Sequence, residues 1–174
     1  MTVLFEGFPR TLERTALRPG RWFVAAEGLR PILCFATEAR DGDDVLALTF
    51  GAPHVETVEV VPAAIGALGG PFATVEDEIV FAPGLVEGAP TLIAPSRRTF
   101  KSGSLLRLRS GDLGIGFVAS RNGEMVIVSL STGQRAEGFD LVFERWSLSL
   151  RRGNAETLIG YFKPLHSISD RRWL

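Results

Sequence analysis

No apolar run in this chain continues for long before a glycine, proline, asparagine or aspartate interrupts it, and within the runs apolar and polar residues tend to alternate. That punctuation leaves little room for long amphipathic helices. It matches instead the pleat of β-strands, whose successive side chains point to opposite faces. The pattern predicts strands near 21–26, 31–37, 45–50, 55–61 and 78–82, and again near 104–109, 113–120, 124–131, 138–143, 146–151 and 157–162. Residues 104–109 and 146–151 alternate most plainly, which predicts one apolar and one wet face for each. Only 62–68 reads as a helix, with Pro62 suited to a first turn and Gly69-Gly70 to a stop. The nineteen glycines and ten prolines fall mostly singly between the runs, so they mark turns and not disorder.

Asp41-Gly42 and Asn122-Gly123 each separate two strand-like runs and supply the positive φ angles that tight hairpins demand. They lie 81 residues apart, and other features repeat at that spacing. Leu4-Phe-Glu-Gly-Phe-Pro9 returns as Leu85-Val-Glu-Gly-Ala-Pro90, Val45 falls on Val126, and Phe81-Ala-Pro83 falls on Phe162-Lys-Pro164. Between these anchors the spacing is 83, pairing Gly20 with Gly103, Gly28 with Gly111, Ile32 with Ile115 and Ala36 with Ala119. Because the matches run in order and include Glu and aliphatic positions, they predict a duplication. The expected organisation is all-β: a first repeat over 4–84, a second over 85–165 and a tail over 166–174. Each repeat would be a small five- to six-stranded bent sheet or SH3-like barrel, and the two would pack together, since a unit of this size has a marginal core alone.

The opening residues Met1–Pro9 lack the basic region of a signal peptide, and no stretch approaches the roughly 18 apolar residues of a spanning helix. The single cysteine, Cys34, sits in an apolar run and cannot form an intramolecular disulfide. These features point to the cytoplasm and to no membrane partner.

Charge divides unevenly. Residues 1–84 carry six basic and twelve acidic side chains, a net of −6, whereas 85–174 carry thirteen and eight, a net of +5. Opposite charges of this kind attract within a chain or steer association between chains. Arg97, Arg98, Lys101, Arg107 and Arg109 form a basic stripe with Phe100 among them, a candidate anion-binding set for phosphates. Arg97 and Lys101 stand where the cyclic-dinucleotide-binding PilZ domains carry R-x-x-x-R, and Ser129–Gly133 stands near their [D/N]-x-S-x-x-G. Both stretches depart from the pattern, so no family is assigned. At the end of the chain, Arg171, Arg172 and Trp173 combine an amphipathic ring with two cations, a candidate interface reaching for the acidic half.

Other chemistries are argued down. His54 and His166, with one cysteine, cannot build a Cys/His zinc site. The acidic clusters Asp41–Asp44 and Glu76–Glu78 read as exposed turns, not as a cation loop. No nucleophile elbow or phosphate-binding glycine loop occurs. The sequence therefore predicts a non-catalytic binding or assembly protein without a cofactor, whose partner is another protein or a second copy of itself. The alternatives are anion, nucleotide or nucleic-acid binding through the basic second repeat, and an enzyme with a site between the repeats.

Overall fold

The computed structural model of the chain describes residues 11–27, 30–54, 57–83, 100–119, 123–143 and 145–162. Within them the chain is all-β. The strands are β1 (Thr11–Leu12), β2 (Trp22–Glu27), β3 (Arg30–Asp41), β4 (Asp44–His54), β5 (Thr57–Ala64), β6 (Gly69–Thr74) and β7 (Glu78–Pro83), followed by β8 (Ser104–Leu108), β9 (Leu113–Val118), β10 (Met125–Ser129), β11 (Phe139–Phe143), β12 (Trp146–Arg152) and β13 (Ala155–Phe162). Among the described residues no helix is long and apolar enough to cross a membrane.

Two open sheets result. The larger runs β1-β6-β2-β3-β4-β5-β13-β12-β7 and the smaller β10-β9-β8-β11. All pairings are antiparallel except β13 on β5, which is parallel through Tyr161 opposite Thr57 and Phe162 opposite Val58. Neither sheet closes among the described residues, and the two pack as layers. Leu105, Ile115, Phe117, Val126 and Val128 of the smaller sheet bury against Val24, Phe35, Leu48 and Phe50 of the larger. Strands from both sides of position 84 share the larger sheet, because β13 and β12 fill the space between β5 and β7.

Residues on either side of position 84 share similar turns and a three-strand meander, β2-β3-β4 and β8-β9-β10. Gly20 (φ +83°) and Gly103 (φ +86°) each occupy the third position of a four-residue turn, closed by Arg21 N–H to Arg18 O at 3.2 Å and by Ser104 N–H to Lys101 O at 3.0 Å. Gly42 (φ +62°) and Gly123 (φ +78°) lie between β3 and β4 and between β9 and β10. The fourth strands then differ, since β5 adds beside β4 whereas β11 adds beside β8.

Three sequence expectations are corrected. Residues 62–68 are not a helix: Pro62 pairs with Leu48 inside β5, and only Ile65–Ala67 turns, as one 3-10 turn. Proline is accommodated there because β13 pairs with β5 only at Thr57 and Val58, so the strand is an edge at Pro62. In β12 the expected wet face is dry. Ser147 (1% exposed) and Ser149 (6%) are buried between their cross-strand neighbours, Ser147 between Ala82 and Tyr161 and Ser149 between the larger Val80 and Leu158. In β8, Leu105 faces the main core while Leu106 and Leu108 face a separate cluster with Val142, so only Arg107 is exposed.

The halves share one aromatic core. Trp22, Phe81, Trp146, Phe162 and Phe50 form a closed ring of contacts with centroids 3.8–5.9 Å apart, tightest where Trp146 stacks on Phe162. A backbone junction adds to it. Gly133 packs on Gly20 and Ala36, Glu38 N–H donates to Gly133 O (2.9 Å), and Arg135 N–H donates to Glu38 Oε1 (2.6 Å).

The uneven charge is partly satisfied inside the molecule. Arg151 reaches Glu78 at 3.3 Å across the β12–β7 pairing, and Arg152 holds Asp77 through Nε at 2.6 Å and a second nitrogen at 3.2 Å. Both guanidinium pKa values are raised, Arg151 chiefly by its hydrogen bond to Glu156 and Arg152 chiefly by that to Asp77. A base raised on folding stabilises the fold below its unfolded pKa and loses that contribution only as pH rises through the folded value. For arginine this window is strongly alkaline, so thermal melts should show no loss from these pairs up to about pH 10. Exposed pairs are screened, and Arg151→Gln with Arg152→Gln should lower the melting temperature slightly in low salt and hardly at all in high salt. A large loss that persists in high salt would give the pairs a weight that surface chemistry does not explain.

Candidate functional site

A cleft of about 640 Å3 opens between the turn before β2 and the corner joining β6 to β7. The turn is Arg18-Pro19-Gly20-Arg21. Proline at the second position and a glycine with φ +83° at the third are what a type II turn requires. Gly20 N–H donates to Ala36 O and Ala36 N–H donates to Arg21 O, both at 2.9 Å, which pins the turn to β3. The two arginines therefore leave a fixed turn from its opposite ends.

The facing wall is Thr74, Val75, Glu76 and Asp77. Asp77 is neutralised by Arg152 from the hairpin between β12 and β13, and Glu76 also raises the Arg152 pKa through its field, behind the larger effect of Asp77. Arg18 and Arg21 form no ion pair among the described residues. Leu12, Trp22, Val75 and Ile79 line the cleft with half-buried apolar surface. The hydroxyl of Thr74 is buried and has no hydrogen-bond partner, and a buried hydroxyl left unpaired costs about 1–3 kcal/mol. Such a set can hold a small molecule through charge and an apolar face. The Pro-Gly turn flanked by arginines and the acidic turn at Glu76–Glu78 are each visible in sequence, but they lie more than fifty residues apart and nothing local joins them.

The basic stripe fares differently. Arg97 and Arg98 lie outside the described residues, as do Arg171, Arg172 and Trp173 of the tail. Lys101 opens the turn that ends at Ser104. Arg107 is exposed on β8 and faces Asp140 of β11 at 3.9 Å, while Arg109 packs over the backbone of Gly138. Cys34 is fully buried, and among the described residues no group of three or more His, Cys, Asp or Glu could hold a metal ion. Comparison with known protein families, curated proteins and solved structures finds no match.

Proposed function

We propose that this is a binding protein and not a catalyst, and that it takes a small molecule into the cleft between the Arg18–Arg21 turn and the Thr74–Asp77 corner. The observation that carries this reading is a cleft of ligand size in which Arg18 and Arg21, without ion pairs among the described residues, stand beside an apolar wall. A bound anion would supply the partner that the two guanidinium groups lack. The corresponding turn in the second half is filled by the protein itself, since the Trp146 indole N–H donates to Gly103 O at 3.0 Å. On this reading the halves are diverged copies, supported by the matched turns and meander, in which one copy kept an open turn and the other closed it. Their differing fourth strands weigh against equal, independently folded barrels.

Backbone amide NMR with a fragment library tests the assignment. Binding fragments should shift Arg18–Trp22 and Thr74–Asp77 above the rest of the chain. Fragments that bind but leave these residues unmoved would refute the cleft as the site. Tight oligonucleotide binding that falls steeply with salt and shifts Arg107 and Arg109 would move the function to the basic half instead.

A further inference from the structure

We infer that the cleft selects an amphipathic anion, a molecule with an apolar body and one oxyanion head such as a carboxylate or sulfonate. The inference rests on the cleft being the binding site and adds the chemical class of its ligand. The charges on the two walls are not equivalent. On the Thr74–Asp77 wall, Arg152 contacts both carboxylate oxygens of Asp77, at 2.6 and 3.2 Å, so this acid is already compensated. On the turn wall, Arg18 and Arg21 are the first and fourth residues of one hydrogen-bonded turn, which holds their Cα atoms within about 7 Å. Two like charges that close repel each other when empty and converge on one oxyanion when filled, and guanidinium is the side chain best matched to such a group.

The rest of the cleft restricts the ligand further. Glu76 opposes a second negative charge at the far wall, which argues against a dianion or a polyphosphate. Leu12, Trp22, Val75 and Ile79 are each half-buried, so an apolar body laid on them removes surface from water on both sides. Nucleic acid would need a continuous basic track, and here the arginines face an acidic corner.

The probe pair is 1-anilinonaphthalene-8-sulfonate and its neutral relative N-phenyl-1-naphthylamine, which share their ring system and differ in the sulfonate. The full chain should bind one sulfonate dye per molecule, about tenfold more tightly than the neutral dye, as expected for one charge-assisted contact. The double variant Arg18→Gln/Arg21→Gln should abolish that preference by weakening the sulfonate dye alone, and added salt should act likewise. Arg107→Gln/Arg109→Gln, a basic pair elsewhere on the surface, should change neither. Amide shifts on dye addition locate the bound molecule, and unchanged melting curves show that the variants are folded. If both dyes shift the cleft residues with equal affinity, or the Arg18/Arg21 variant keeps the preference, the anionic class is overturned and the cleft survives as a site. If the dyes shift other residues only, or neither binds, the cleft reading falls with it.

Discussion

Replacing Gly133 with alanine is expected to destabilise the protein by roughly 3 kcal/mol, the sum of a left-handed backbone strain and an overpacked contact. Gly133 has φ +72°, and a Cβ there would meet the nitrogen of Gly20, come within 2.6 Å of Ala36 O and within 2.8 Å of the Pro19 carbonyl carbon. All three are backbone atoms of the other half, fixed by the hydrogen bonds that pin the Arg18–Arg21 turn, so none can rotate aside. Gly20 faces the same constraint from the other side, with Thr132 O 2.8 Å from where its Cβ would stand. Gly42→Ala is the control. It also has positive φ, at +62°, but nothing lies within 4 Å of the added methyl, so its cost should be strain alone, about 1–2 kcal/mol. Urea unfolding midpoints of the two variants give the comparison. Equal midpoints would show that the Gly133 junction can relax, and that the halves do not interlock there. Because the junction supports the turn carrying Arg18 and Arg21, Gly133→Ala should also weaken dye binding at the cleft in molecules that remain folded.

Trp146→Ala should cost more, about 3–5 kcal/mol, a large part of the 5–15 kcal/mol typical of a folded domain. The side chain is fully buried, stacks on Phe162 with centroids 3.8 Å apart, touches Phe81 at 5.5 Å and donates a hydrogen bond to the carbonyl of Gly103 that is lost when it is removed. Trp146→Phe keeps an aromatic ring and loses the hydrogen bond, so it should be much milder. The ring of aromatics also joins Trp22, Phe50 and Phe81 to Trp146 and Phe162, which makes the two halves one cooperative unit. Near-ultraviolet and far-ultraviolet circular dichroism of the unmodified chain should therefore report a single coincident transition. Two separated transitions would mean that the halves melt independently and that the shared core is not the main source of stability.

The sequence alone determined what local chemistry determines. Alternating runs closed by glycine and proline specify strands, and all eleven predicted strands are found because the period of two and the turn residues act over a few neighbours. Gly20, Gly42, Gly103 and Gly123 stand in positive-φ turns for the same reason. The sequence carries no sign of β6, because Gly69-Gly-Pro-Phe-Ala-Thr74 has no alternation; it is a strand only because β1 and β2 flank it. Tertiary structure decided the rest. That β12 has no wet face at Ser149 depended on Val80 and Leu158 shading it, and whether 62–68 coils depended on β4 offering Pro62 a register. Above all, the placing of β12 and β13 in the first half's sheet and the meeting of Arg18 and Arg21 with Thr74 and Glu76 rest on contacts between distant residues. Such contacts are chosen by the burial of whole layers and by the room that glycines leave between backbones, and no short stretch of sequence encodes them.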